Sequence, residues 1–357
     1  MTAPARREWR RHAWRRRVWR RLAAAVAAVA LLAVPGAPGM PAAMGAAPPA
    51  PPDDPLAFVT NEGSHDLSVV NLRTGAVVAT AKLGDRPRGV QLSPDGRHVF
   101  VAVSDLAPNA QSGRDAIVML DATTFRELRR FPVGTDPEQF AVTPDGRWLV
   151  ASNEDAGSAS AIDLRRGTVA ATLVVGIEPE GVAVSPDGRL ALVTAETSNT
   201  VSLIDVRALK VVGALLVDAR PRAAAFSPDG TRAYVTAEIA GTLSMIDVAS
   251  RRVTASVPLE GGTGKPVGVA VSPDGRRVYV ANGAANAVSV LDARTLRVIG
   301  RVPVGRRPWG IAVNADGTRV YAVNGLSNDV SEIDTATLRV VRTIRVGQRP
   351  WGIALGR

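Results

Sequence analysis

Between Pro266 and Val304 the chain alternates apolar and polar positions in short runs broken by turn residues. Val267 to Ser272 is followed by Pro273-Asp274-Gly275. Arg277 to Ala281 then leads into a polar loop, Ala287 to Leu291 into a turn at Asp292, and Leu296 to Val304 completes the series. A period of two bounded by Gly, Pro and Asp marks half-buried strands joined by hairpins. The pattern predicts four antiparallel strands in about 42 residues.

The same unit recurs along the chain. Asp-Gly turns stand at Asp95, Asp145, Asp187, Asp229, Asp274 and Asp316, spaced 50, 42, 42, 45 and 42 residues apart. An X-Pro-X element appears seven times, at Arg86-Pro87, Asp136-Pro137, Glu178-Pro179, Arg220-Pro221, Lys265-Pro266, Arg307-Pro308 and Arg349-Pro350. Strands also end in Asn71, Asp121, Asp163, Asp205, Asp247, Asp292 and Asp334. One such sheet cannot bury both faces, so the units must stack around an axis. The expected fold is all-β, a seven-bladed β-propeller of four-stranded antiparallel blades over 56–357. Phe58 to Leu83 supplies three strands and Arg349 to Leu355 one, so both chain ends are expected to close the last blade and leave no open sheet edge.

Charge changes the reading of what precedes the repeats. The full chain carries a net +10, but nine Arg fall within the first 21 residues, and the remainder is about +2. A nucleic-acid partner is therefore not expected. Leu22 to Val34 is a thirteen-residue small or aliphatic run, followed by Pro35 and a Pro/Ala/Gly stretch. That order is the order of a secretory signal, and the run is too short to span a bilayer. Residues 1–47 read as a signal with the start of a linker, and 48–55 as a Pro-rich linker. The expected location is periplasmic or exported, with an uncleaved, membrane-anchored form as the alternative. The chain contains no Cys and only His12, His65 and His98, which excludes disulfides, thiolate sites and a multi-histidine metal centre.

Phe58-Val59-Thr60-Asn61, Tyr234-Val235-Thr236-Ala237 and Tyr279-Val280-Ala281-Asn282 resemble the signature of YVTN-family propeller repeats. Asp136-Pro137-Glu138 with Phe140, Glu178-Pro179-Glu180-Gly181, Asp218 with Arg220-Pro221-Arg222, and Asn324 to Ser331 are similar to a narrower group, the propeller proteins associated with pyrroloquinoline-quinone (PQQ)-dependent alcohol catabolism. That resemblance implies an exported protein linked to a quinoprotein dehydrogenase, a cytochrome or a transporter component. An insertion from Asp105 to Arg114 departs from the repeat length and bears on partner contacts at that face.

The X-Pro-X loops are expected to ring one mouth of the channel, together with the loops after each second strand, and the Asp-Gly turns to lie opposite. Around that ring run Arg86 and Arg88, Glu138, Glu178 and Glu180, Arg220 and Arg222, then Arg307 with Trp309 and Arg349 with Trp351. Read in sequence, two acidic blades face a basic arc ending in two Arg/Trp pairs. An Arg fork beside an indole suits a planar carboxylate, and PQQ is such a ligand. Glu62, Glu154, Glu196 and Glu238 follow second strands and are secondary candidates, to meet the Arg residues or a hard cation, or to serve as hydrogen-bonded loop residues. The turn Asp residues read as backbone caps.

No nucleophile elbow, phosphate loop or dinucleotide fingerprint is present, so no catalytic residue is assigned. The expectation is a monomeric, non-enzymatic binding scaffold of a PQQ-dependent oxidation system that takes a partner protein or a small anionic ligand at the mouth. Two alternatives stand beside it: a lactonase- or lyase-like propeller enzyme with mouth Glu and Arg as acid/base and electrostatic groups, and a cell-surface structural repeat protein.

Overall fold

The computed structural model describes residues 54–105 and 113–356, so the expected signal segment and most of the insertion lie outside the described residues. Seven four-stranded antiparallel sheets account for this part of the chain. The first-strand series is Arg86–Leu92, Pro137–Val142, Pro179–Val184, Pro221–Phe226, Pro266–Val271, Pro308–Val313 and Pro350–Leu355. Each of these strands packs against its counterparts in the two neighbouring sheets, and the seven form a closed inner ring. The fold is a seven-bladed β-propeller, and its last blade is made by both ends, Pro350–Leu355 pairing antiparallel with Leu56–Asn61.

The core lies between blades, not within them. Seven hydrophobic clusters occupy the seven blade interfaces, from Phe58, Leu67 and Val69 against Val99, Val101 and Val118 round to Tyr321, Val323 and Ile344 against Ala57 and Val59. Outermost strands bury little, as in Lys210–Leu216, because nothing packs on their far side. This explains why the second and third strands are continuous runs of Val, Ile, Leu and Ala: both of their faces are covered.

Turn chemistry follows the expected roles. Asp292 Oδ1 accepts the backbone N–H groups of Arg294 and Thr295, and Asp334 does the same for Ala336 and Thr337. Asp187 in an Asp-Gly turn accepts from Ser185 Oγ and the Arg189 N–H. One strand starts later than its pattern suggests. Leu296 sits in the turn with φ 56° and a buried side chain, so the apolar run begins before the strand does, at Val298.

Inner strands approach so closely that five of them carry Gly at the same position. A Cβ on Gly310 would stand 2.5 Å from the Trp351 carbonyl oxygen, and one on Gly352 would stand 2.6 Å from that of Arg88. Only the missing side chain permits these contacts.

Candidate functional site at the channel mouth

Each first strand begins X-Pro-Z, which brings seven Z side chains to one level: Arg88, Glu138, Glu180, Arg222, Val267, Trp309 and Trp351. The ring is polar over four consecutive blades and apolar over three. Its backbone is held from the second strand of the preceding blade. Thr60 Oγ1 donates to the Arg88 carbonyl (2.6 Å), Ser152 Oγ to that of Glu180 (2.6 Å), Thr194 Oγ1 to that of Arg222 (3.0 Å) and Thr236 Oγ1 to that of Val267 (2.6 Å). The Thr of the repeated strand signature therefore fixes the ring of the neighbouring blade, a role that sequence reasoning missed.

The residue before the Pro is strained in six of the seven loops. Asp136, Glu178, Arg220, Lys265, Arg307 and Arg349 have φ between 49° and 62°, left-handed values that non-glycine residues seldom adopt. Their carbonyls take part in the restraint. The N–H groups of Glu62, Glu154, Glu196 and Glu238 donate to the carbonyls of Arg349, Asp136, Glu178 and Arg220 at 2.8–3.0 Å. All four secondary candidates thus stand at the same mouth, and Asp105 holds the equivalent place after its second strand.

Long acidic and basic side chains reach one another between strands and blades. Arg86 pairs with Asp136 (2.6 Å), while Arg88 pairs with Glu138 and lies 3.4 Å from Glu62 and 3.9 Å from Glu154. Arg222 pairs with Glu180 (2.8 Å) and Glu196, Arg220 with Glu196 (2.8 Å) and Glu238 (3.3 Å), and Arg307 with Glu238 (3.3 Å). The blades keep the order expected around the mouth, and the structure adds the pairing: the charges of Arg220, Arg222 and Arg307 in the basic arc are met by Glu180, Glu196 and Glu238.

The two Arg/Trp pairs are also unequal. The guanidinium groups of Arg222 and Arg307 lie 5.4 and 4.8 Å from the Trp309 ring centre. Trp351 is buried and tilted against Trp309, with centroids 6.3 Å apart, whereas Arg349 and Glu178 are exposed on the rim. Val267, the short residue between Arg222 and Trp309 in the ring, leaves the span across which they meet.

A cavity of about 130 Å³ opens at this level of the channel. Glu180, Arg222 and Gln139 give it a polar side, and Val267, Trp309, Trp351 and Ile311 an apolar one. Trp309 Nε1 is buried and finds no acceptor among the described residues. Burial, and secondarily the neighbouring Glu180 charge, pushes the Glu154 carboxyl up to about 7 despite Arg88. Burial likewise raises Glu180 against the pull of Arg222. A mouth carboxyl that exchanges its proton near neutrality is fitted to act as acid and base. Asp136, Glu138 and Glu154 each bring a carboxylate oxygen within 4.8 Å of the others, a spacing that suits a hard cation as well as the Arg86 and Arg88 side chains beside them.

Of the histidines, His65 is a loop residue whose ring meets the Asp85 carbonyl at 3.2 Å, and His98 begins a strand at the opposite end of its blade.

Comparison with known proteins corrects the functional expectation. A family model described as a seven-bladed β-propeller lactonase matches residues 215–346, and one for the choice-of-anchor I domain matches residues 52–264. A comparison with curated proteins finds no match. Among solved structures, the periplasmic gluconolactonase of Pseudomonas aeruginosa is 21% identical with a TM-score of 0.68, covering 85% of this chain and 99% of that one. A Bacteroides fragilis protein proposed to be a 6-phosphogluconolactonase is 18% identical with a TM-score of 0.70, covering 87% and 100%. Kuenenia stuttgartiensis hydrazine synthase is 23% identical with a TM-score of 0.69, covering 78% and 92%. At these identities the structures establish the fold.

The lactonase match, with the gluconolactonase among the similar structures, overturns the expectation of a non-enzymatic scaffold in a quinoprotein system. The absence of a local motif misled that reading for a physical reason: a propeller gathers its site from separate blades, so reactive groups stand some 42 residues apart in sequence. With the choice-of-anchor I model spanning more than half of its length, the chain belongs to the choice-of-anchor I domain family.

Proposed function

We propose that this protein is a lactonase-like enzyme that opens a small lactone ring at the channel mouth. The observation that carries the reading is Glu154, a mouth carboxyl raised to about 7 beside the buried Glu180–Arg222 pair. Water adds to the lactone carbonyl as Glu154 takes its proton, and the carbonyl oxygen gains negative charge near Arg222 and the Trp309 indole N–H. The ring C–O bond then breaks and Glu154 returns the proton to the departing alkoxide. Lactone and water give a hydroxy acid, with no change of oxidation state. Positioned acid–base groups of this kind contribute about 10²–10⁴-fold.

The lactonase match over 215–346 supports this reading from outside the geometry. The Arg-rich head and thirteen-residue apolar run support export; N-terminal sequencing of the protein recovered from outside the cytoplasm checks that. The function is tested by following proton release from a panel of aldono- and alkyl lactones, each corrected for spontaneous hydrolysis. Turnover by the native protein that falls at least 100-fold in Glu154→Gln supports the proposal. An inert native protein across the panel removes it.

A further inference from the structure

We infer that the substrate is a neutral, polyhydroxylated lactone and not a phosphorylated or carboxylated one. This rests on the lactonase reading above and sharpens it.

Each arginine reaching the mouth interior is paired: Arg86 with Asp136, Arg88 with Glu138 and Glu62, Arg220 with Glu196 and Glu238, Arg222 with Glu180 and Glu196, and Arg307 with Glu238. Among the described residues Arg222 is the one cationic residue in the cavity wall, its side chain is only 6% exposed, and Glu180 and Glu196 hold it with Glu238 3.9 Å away. Lys265 and Arg349 are exposed on the rim and do not line the cavity.

A phosphate dianion entering here would meet Glu180 and, just outside, Glu154, Glu196 and Glu238, with no uncommitted cation at cavity depth among the described residues. Low-dielectric walls strengthen that repulsion. Hydroxyl groups fit the same surroundings. Carboxylate oxygens accept from them, Gln139 can donate or accept, and the buried Trp309 N–H supplies a donor. The opposite wall of Val267, Val269, Ile311 and Ile353 takes the C–H-rich face of a sugar ring. The cavity of about 130 Å³ has room for a small ring and opens to the channel mouth.

The test compares glucono-1,5-lactone with its 6-phosphate on the full chain, by proton release corrected for spontaneous opening. The expected result is a kcat/KM at least 100-fold higher for the neutral lactone. Equal or better turnover of the 6-phosphate overturns the inference and leaves the lactonase reading standing.

If neither lactone is turned over, the lactonase reading fails, and binding decides the charge question separately. Titration with the non-hydrolysable gluconolactam should then perturb Trp fluorescence, while 6-phosphogluconate and PQQ should not. Binding of either anion, or of none of the three, overturns the inference. The double variant Glu180→Gln/Glu196→Gln leaves Arg222 with Glu238 alone, at 3.9 Å, and should raise relative acceptance of the phosphorylated lactone at least tenfold. If that variant does not fold, the comparison on the native chain still decides.

Discussion

Arg222 Nη1 stands 2.8 Å from Glu180 Oε1, and the two side chains are only 6% and 5% exposed. Both belong to the Z position of adjacent inner strands, so the pair is a direct product of ring geometry. It brings a buried negative charge close to Glu154, and the pair thereby tunes a group that neither residue touches by hydrogen bond. The first prediction follows from that coupling.

Activity should rise with pH through the Glu154 transition at about 7 and level off above it, because the base works as carboxylate. Glu180→Gln removes a like charge and should move the rising limb to lower pH; a pH profile of kcat/KM checks the direction. The stability effect has the opposite sense. Between the ordinary carboxyl range and about 7 the folded chain keeps a proton that the unfolded chain has released, so Glu154's contribution is present at acid pH and is lost as pH rises. In thermal melts across that window Glu154→Gln should lose less stability than the native chain.

Trp309 and Trp351 should separate in their effects. Trp309→Ala removes the ring on which Arg222 and Arg307 rest and a wall of the cavity, so KM should rise at least tenfold with a modest loss of fold stability. Trp351 is buried, and Trp351→Ala should cost about 3–5 kcal/mol of stability, as large aromatic deletions in cores do. Steady-state kinetics and denaturant unfolding on both variants distinguish the two roles. Equal losses in both measurements would show that the Trp residues act as one packing unit.

Backbone proximity makes a third claim measurable. Gly310→Ala and Gly352→Ala place a methyl group at 2.5–2.6 Å from a neighbouring blade's carbonyl oxygen, where backbone must shift. Each should destabilise the propeller by about 1–3 kcal/mol. Gly213, on an outer strand with nothing within 4 Å of its Cβ position, is the control. Gly213→Ala should be neutral or stabilising.

The fold was legible because it repeats. Asp-Gly turns, X-Pro-X loops and the Asp or Asn closing each third strand recur in phase, and tight turns have local chemistry that one sequence reveals. The mouth was legible as a location for the same reason. What could not be read was who pairs with whom. Arg307 and Arg349 are equivalent in the repeat, yet one crosses to Glu238 and stacks on Trp309 while the other stays exposed. The Arg307 side chain passes over Gly283, where a Cβ would stand 3.6 Å from its Cδ. Repeat alignment averages such facts away. The near-neutral Glu154 was equally hidden, since its shift arises from burial and from Glu180, 26 positions later in the chain.

Ring closure gives a fourth prediction. Deleting residues 350–357 removes the strand that pairs with Leu56–Asn61 and exposes the cluster of Ala57, Val59, Tyr321 and Val323. An open edge with an apolar face promotes association. The truncated chain should aggregate or elute earlier than the full chain, and adding the missing segment as a peptide should partly restore the full chain's elution volume in size-exclusion chromatography.

The buried ion pair itself can be tested by removing one side and then both. Arg222→Met keeps the volume of the side chain but leaves Glu180 without its cation, while Glu196 keeps Arg220. Breaking a buried pair from one side costs about 3–5 kcal/mol, because the remaining charge has lost both water and partner. The loss should be greatest at high pH and shrink as pH falls, since protonation of Glu180, already favoured by burial, relieves the strain. Adding Glu180→Gln to Arg222→Met removes the stranded charge and should recover most of the stability, whereas activity should not return if Arg222 polarises the lactone carbonyl. A double-mutant cycle in denaturant, run at two pH values, measures the coupling. Additive losses at both pH values would mean that the ring is held by its backbone clamps alone, and that its charges serve the substrate without serving the fold.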